Sequence, residues 1–189
     1  GHALLLDCEH LTVEPLPVPP DLAVLVIHSG LPRELADSEY AQRRHACEAA
    51  AARIGVPTLR HATLDQVSDD PIARHVVTEN ARVLEFATAL RAGDPDPLGP
   101  ILMAGHASLR DDFRVSTPEL DLLVLAFIEH GATGARLTGA GFGGCVVALA
   151  PRDHAEPCLT GAMRSYEIRT RLQPVGFEAR ASRGAAILG

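Results

Sequence analysis

The sequence predicts an α+β fold, with helices packed on one face of a small antiparallel sheet. Residues 22–27 (LAVLVI) form a short, β-branched, unbroken apolar run, the pattern of a strand covered on both faces. Leu120, Leu123, Val124, Phe127 and Ile128 fall at helical spacing and mark the clearest amphipathic helix of the chain. Residues 134–149 then read as strand, glycine-rich loop and strand.

In chain order, residues 4–8 and 11–16 predict two short strands joined by a tight polar turn at Glu9 and His10. Prolines at 15, 17, 19 and 20 remove backbone donors at close intervals, so residues 14–20 read as an edge or a linker. After strand 22–27, residues 29–36 form a loop containing Gly30 and Pro32. Asp37 or Ser38 is the expected cap of a helix reaching Ile54, which Gly55 closes and Pro57 keeps from resuming. A polar connection leads to Asp69, Asp70 and Pro71, an acidic cap with proline in the first turn. The helix after it reaches about Arg91, with Val76, Val83, Ala87 and Leu90 on one stripe, and Gly93 ends it.

Residues 94–100 (DPDPLGP) predict a rigid turn, followed by a helix over 101–113. Ser116 and Glu119 fit a capping box around Pro118, and Gly131 stops the helix that follows. Pro151 ends the strand after the glycine loop. A helix to about Tyr166 and a last strand over 175–181 complete the chain, with no internal repeat.

The chain has 189 residues, 47% of them hydrophobic, with aromatics at 4% and no tryptophan, so one domain, or one domain plus a piece of another, is expected around an aliphatic core. A net charge of −7 argues against a nucleic-acid partner, which requires a basic face. All 17 cations are arginine. Without lysine, this stretch holds neither a phosphate loop of the Gly-Lys-Ser/Thr type nor a Schiff-base nucleophile. Cys8, Cys47, Cys145 and Cys158 show no C-x-x-C spacing and read as reduced thiols of a cytoplasmic protein. No apolar run approaches the roughly 20 residues of a membrane span. The chain opens without methionine and already in a strand-like run, which reads either as an expression scar or as a start inside a larger protein.

Residues 139–144 (GAGFGG) satisfy the letters of G-x-G-x-x-G. A dinucleotide site needs a helix to start at the last glycine. Here a β-branched run follows and Pro151 breaks it, which excludes that reading. Two remain: successive N–H groups presented to an anion, or a tight strand connection with no ligand. The nine histidines lack the H-E-x-x-H spacing of a zinc helix, and no G-x-S-x-G elbow is present. His106 and Ser108 point to different faces of a helix, so they make no catalytic pair. Asp111 and Asp112 read as a solvated helix end or as arginine partners rather than as Mg²⁺ ligands, and Cys145 as an inert core thiol. Tyr40, in the first turn of its helix, either faces a cleft or packs with Cys47 and Ile54.

Taken together, residues 1–8, 38–40 with Arg43 and Arg44, 108–112, 116–121 and 134–145 resemble the GHMP family of small-molecule kinases, and within it the galactokinases. The resemblance covers nearly the whole chain. It implies a ferredoxin-like carboxy-terminal domain over residues 21–189, with residues 1–20 as terminal strands of an amino-terminal kinase domain. It also implies ATP and Mg²⁺ as cofactors and galactose as substrate, phosphorylated at its anomeric hydroxyl. By the same resemblance Tyr40 binds the sugar, and Gly139, Ala140, Gly141, Phe142, Gly143 and Gly144 line the nucleotide-phosphate side of the cleft. The catalytic aspartate and main phosphate loop of that family lie upstream. The chain is therefore expected to be inactive alone, to contribute no catalytic or metal-binding residue, and to self-associate through surface meant for the missing domain. Another sugar kinase of the family, or a non-catalytic sugar sensor, is the alternative.

Overall fold

The computed structural model describes residues 2–31 and 36–182, with side chains on the first helix from Glu39 onward. The expected caps Asp37 and Ser38, and Pro32 of the preceding loop, lie outside these described side chains. The chain opens with an antiparallel hairpin, β1 (His2–Asp7) and β2 (Thr12–Pro17), and Leu11 turns the corner at a φ of 54°. The central strand β3 (Leu22–His28) follows. Four helices come next: α1 (Ala36–Ile54), α2 (Pro71–Ala92), α3 (Leu98–Asp111) and α4 (Pro118–Glu129). Then come β4 (Gly134–Thr138), β5 (Cys145–Pro151), α5 (Ala155–Thr170) and β6 (Val175–Ala179).

β3 to β6 form one antiparallel sheet in the order β4-β5-β3-β6. That order, with helices between β3 and β4 and α5 between β5 and β6, is the ferredoxin-like arrangement. Strand alternation sends Ala23, Leu25 and Ile27 of β3 and Val146, Ala148 and Ala150 of β5 to one face. The many alanines leave room there for the large side chains of α4 and α5. Leu120, Leu123, Phe127 and Tyr166 are fully buried in that layer, each apolar side chain contributing about 2 kcal/mol of burial. The hydroxyl of Tyr166 donates to the carbonyl of Ser29 at 3.0 Å, fixing α5 to the end of β3.

Among the described residues, the opposite face is covered only at one end. Leu22, Val24 and Leu149 pack there with Leu90 and Leu98, and Leu5 and Leu16 of the hairpin close the same cluster. At the other end Val175 and Phe177 are exposed, and Cys145 is half-buried. The expectation of a core thiol at Cys145 is therefore corrected: residues 145 and 147 face the open side, and residues 146 and 148 face the helices.

Several boundaries move for local reasons. The cap of α4 is Thr117, whose hydroxyl accepts from the N–H of Leu120, while Ser116 donates to Asp121 at 2.6 Å. The expected capping box of Ser116 and Glu119 is thus displaced by one residue. α3 begins at Leu98, three residues before the expected start, because Pro100 sits in its first turn, where a missing N–H costs nothing. Asp70 caps α2 through Ala73, and Gly93 ends that helix in the left-handed region, both as expected. The stripe predicted on α2 does not hold together, since Val83 is 45% exposed while Ala73 and His75 are buried. α2 serves two clusters: its first half packs against Ala50 and Ala51 of α1, its second half against the hairpin. Two short 3₁₀ turns, Leu59–His61 and Asp65–Val67, occupy the connection read as polar loop.

The edge of the sheet meets α3 backbone to backbone. A Cβ at Gly134 would fall on the backbone of Gly99, and one at Gly99 on the carbonyl of Thr133. Gly134→Ala should push α3 off β4 and destabilise the chain by about 2 kcal/mol, as overpacking of a closed contact does. Urea unfolding checks this, with Ala132→Gly as a control for substitution at the strand entrance.

Candidate functional site

The loop 139–144 joins β4 to β5, and its shape follows from its glycines. Gly139, Gly141, Gly143 and Gly144 all have positive φ, and so does Phe142 at 57°. Gly141 is the most constrained, because a Cβ there would strike the carbonyl and side chain of Val115. The N–H of Phe142 donates to that carbonyl at 2.8 Å, and the carbonyl of Gly144 accepts from the N–H of Ser29 at 2.8 Å. The loop is thus clamped between the segment after α3 and the end of β3. Gly141, Gly143 and Gly144 are buried and Phe142 and Ala140 half-buried, so Gly139 is the exposed part of the loop, beside exposed Thr138.

Segment 113–115 organises this end of the molecule. Arg114 takes the left-handed conformation at a φ of 58°, unusual for a residue with a side chain. The carbonyls of Phe113 and Arg114 accept from Arg43 of α1, at 2.6 Å from Nε and 3.1 Å from the guanidinium terminus. The Arg43 guanidinium carbon also lies 6.0 Å from the centroid of the Phe142 ring, a cation–π contact. One arginine therefore touches both the connector and the glycine loop.

Tyr40 precedes Arg43 by one helical turn and is 55% exposed. It lines a groove of about 580 Å³ between α1, the first 3₁₀ turn and α2, whose walls include Arg43, Cys47, Val76 and Phe113. The core alternative for Tyr40 is thereby excluded, and the phenol faces open space. The two sequence-predicted parts of the site, Tyr40 and loop 139–144, lie at the same end of the fold and are joined through Arg43. A second cavity of about 260 Å³ lies between the hairpin and α2, away from this end, with Glu79, Arg82 and Arg136 on its wall.

Beneath the connector runs a buried polar chain. Phe113 stacks on His75 with ring centroids 4.6 Å apart. His75 Nδ1 lies 2.9 Å from the Ser108 hydroxyl, which donates to Asp112 at 3.0 Å, and Arg74 donates to the same carboxylate at 2.6 Å. With the Ser108 proton committed to Asp112, the hydroxyl is the acceptor from His75 and has no nucleophile's geometry. Burial would raise the Asp112 carboxyl, but the bonds from Arg74 and Ser108 outweigh it and hold it low. Asp111 is paired with Arg110 at 2.8 Å. Both carboxylates are thus arginine partners, and among the described residues no cluster of three His, Cys, Asp or Glu side chains is placed to hold a metal ion. His106 turns the other way: its Nδ1 accepts from the N–H of Leu137, and its Nε2 lies 3.2 Å from Asp121 without hydrogen-bond alignment. His106 and Ser108 do not meet.

Sequence reasoning missed the chain His75–Ser108–Asp112 and the hub at 113–115. No spacing rule signals a carbonyl as a ligand, and His75 is separated from its partner by 33 positions.

Residues 86–165 match the protein family described as GHMP kinases C terminal. Galactokinases of Haemophilus influenzae, Actinobacillus succinogenes and Chloroflexus aurantiacus are 41%, 43% and 45% identical to the chain, over 100%, 97% and 93% of its length. The matched stretch is 53%, 51% and 49% of each relative, so the chain spans about half the length of the curated relatives it matches. Among solved structures, Lactococcus lactis galactokinase complexed with galactose superposes with a TM-score of 0.89 at 32% identity, covering 99% of this chain and 52% of that one. Mevalonate kinase of L. major shares the fold alone, at 22% identity and a TM-score of 0.58 over 88% of this chain and 44% of that one.

Burial pushes the His75 imidazole from its ordinary 6.5 down to about 4. Below the ordinary value, the unfolded chain binds a proton that the folded chain refuses, so stability falls as the pH drops from there towards the folded value. His75→Gln should make stability less pH-dependent, shrinking the loss between pH 7 and pH 5 by about 2 kcal/mol relative to wild type. Urea unfolding at the two pH values measures this, and an unchanged difference would contradict a neutral buried imidazole.

Proposed function

We propose, from the premise that this chain carries the carboxy-terminal domain of the GHMP kinase family, that it is the carboxy-terminal half of a galactokinase. In this reading residues 1–20 complete an amino-terminal kinase domain, and residues 21–189 form the second wall of a cleft between domains. The single strongest support is the likeness to Lactococcus lactis galactokinase, at a TM-score of 0.89 over 99% of the chain. Hairpin β1–β2 hydrogen-bonds as a sheet of its own, which supports a domain boundary near residue 20 although its apolar face packs on the main sheet.

The reaction transfers the γ-phosphoryl group of ATP to the anomeric hydroxyl of galactose. The hydroxyl oxygen bonds to the γ-phosphorus, the bond to the bridging β–γ oxygen breaks, and the hydroxyl proton passes to a base. Tyr40 contributes by orientation, its exposed phenol hydrogen-bonding the sugar from the groove beside α1. The Gly139 arm fits the approach of phosphate oxygens, since backbone without a side chain admits close contact. Phe142 and Gly141 hold that arm by their contacts to Val115. In this reading metal binding and the base belong to the other half, and the chain alone is inactive. No helix among the described residues is long and apolar enough to cross a membrane, and this reading makes the protein cytoplasmic.

Incubated alone with galactose, ATP and Mg²⁺, the chain should form no galactose 1-phosphate. Supplied with the amino-terminal half of Actinobacillus succinogenes galactokinase, by fusion or co-expression, it should form the product. Robust turnover by the chain alone would sink the half-enzyme reading. In the complete protein, Tyr40→Phe should raise the galactose KM about fivefold with the ATP KM unchanged, the cost of one neutral hydrogen bond.

A further inference from the structure

α1 carries Tyr40 near its amino-terminal end. Among the described residues, the apolar contacts of α1 lie in its second half, where Ala50, Ala51, Cys47 and Ile54 meet α2 and the 3₁₀ turn. Its side-chain hydrogen bonds to other elements, among the described residues, come from two arginines. Arg53 binds Asp70 at 2.6 Å and ties the far end to the cap of α2. Arg43 binds the carbonyls of Phe113 and Arg114 and ties the near end to the connector. Among the described residues Arg44 pairs along its own helix, with Glu48 at 2.8 Å.

We propose that Arg43 is a positioning residue that sets the sugar-side Tyr40 and the phosphate-side glycine loop against one another. The inference rests on the galactokinase reading for its substrates, and on geometry for its coupling. Residues three apart on a helix share a face, so Tyr40 follows any shift of Arg43. The same guanidinium touches the ring of Phe142 at 6.0 Å, and the N–H of Phe142 is bonded to Val115, next to the carbonyls that Arg43 holds. The links close a ring: α1, Arg43, the connector 113–115, the glycine loop, and back to Arg43 through Phe142. Only a planar cation with several donors satisfies two carbonyls and an aromatic face together, and a lysine ammonium is a point charge without that fork. Among the described residues Arg43 has no carboxylate partner, and its hydrogen bonds go to two backbone carbonyls.

The test uses the complete protein encoded by the reading frame that carries this chain. Arg43→Ala should raise the KM for galactose and the KM for ATP together, each about tenfold. Arg43→Lys should recover less than half of either loss. Phe142→Leu should raise the ATP KM alone, and adding it to Arg43→Ala should change that KM less than twofold, because both remove one contact. A KM change for only one substrate, full rescue by lysine, or additive double-mutant effects would overturn the proposal. Amide hydrogen exchange provides a readout without substrates: Arg43→Ala should speed exchange both in residues 39–43 and in residues 139–144. Protection unchanged in either segment overturns the coupling whatever the enzyme's substrate. A wild-type protein that does not phosphorylate galactose defeats the functional reading and leaves the exchange experiment to decide this one. Should Arg43→Ala fail to fold, Arg43→Lys carries both arms.

Discussion

The carbonyl of Val115 is the point on which the site end of this domain depends. It accepts the N–H of Phe142, and it lies so close to Gly141 that no side chain fits there. Its two predecessors in sequence present their carbonyls to Arg43. Three successive backbone oxygens thus serve the glycine loop and the first helix at once. The left-handed turn at Arg114 makes this possible, since an extended or helical residue there would aim the carbonyls elsewhere. A non-glycine residue in that conformation is costly, and it is held by contacts on both sides: His75 stacks beneath Phe113, and Val115 donates back to Leu109 at 3.0 Å.

The sheet supplies rigidity behind this hub. β3 is central, paired on both sides, and it is followed by Ser29, which meets Gly144 through its N–H and Tyr166 through its carbonyl. The alanine-rich inner face lets α4 and α5 approach closely, so the end of β3 cannot drift relative to either. The glycine loop is therefore a fixed wall rather than a flap. What it faces is less complete. Among the described residues only one end of the far side of the sheet is packed, and the apolar side chains Val175 and Phe177 remain exposed.

Much of this was legible in the sequence where local chemistry decides the outcome. The periodic run from Leu120 to Phe127 could only be a buried helix face, and Gly55, Gly93 and Gly131 stop helices as their lack of a side chain allows. The glycine loop was legible as a loop between strands because Pro151 and the β-branched run excluded a helix. The cap at Thr117 was not, because Ser116 and Thr117 are equivalent as letters and only the partner Asp121 separates them. The split of α2 between two clusters was not, because a stripe records that a face is buried but not against what. Arg43 appeared only as part of a motif. Its role depends on residues about 70 and 100 positions away, which no periodicity reports.

The opening hairpin has one further property that follows from its prolines. Pro15 and Pro17 stand opposite Leu4 and His2, at alternate positions of β2. Alternate residues of a strand turn their backbone groups to the same side, and a proline has no N–H to give. The ladder to β1 therefore runs through Ala3, Leu5 and Asp7 with their partners, and the outer edge of β2 is left without donors at two successive outward positions. β1 keeps a full outer row. The hairpin is a template with one working side, and any sheet that grows on it grows from β1 outward. A second hairpin cannot add back to back through β2. The polarity of assembly at this end of the chain is thus written into two rings that cannot donate a hydrogen bond.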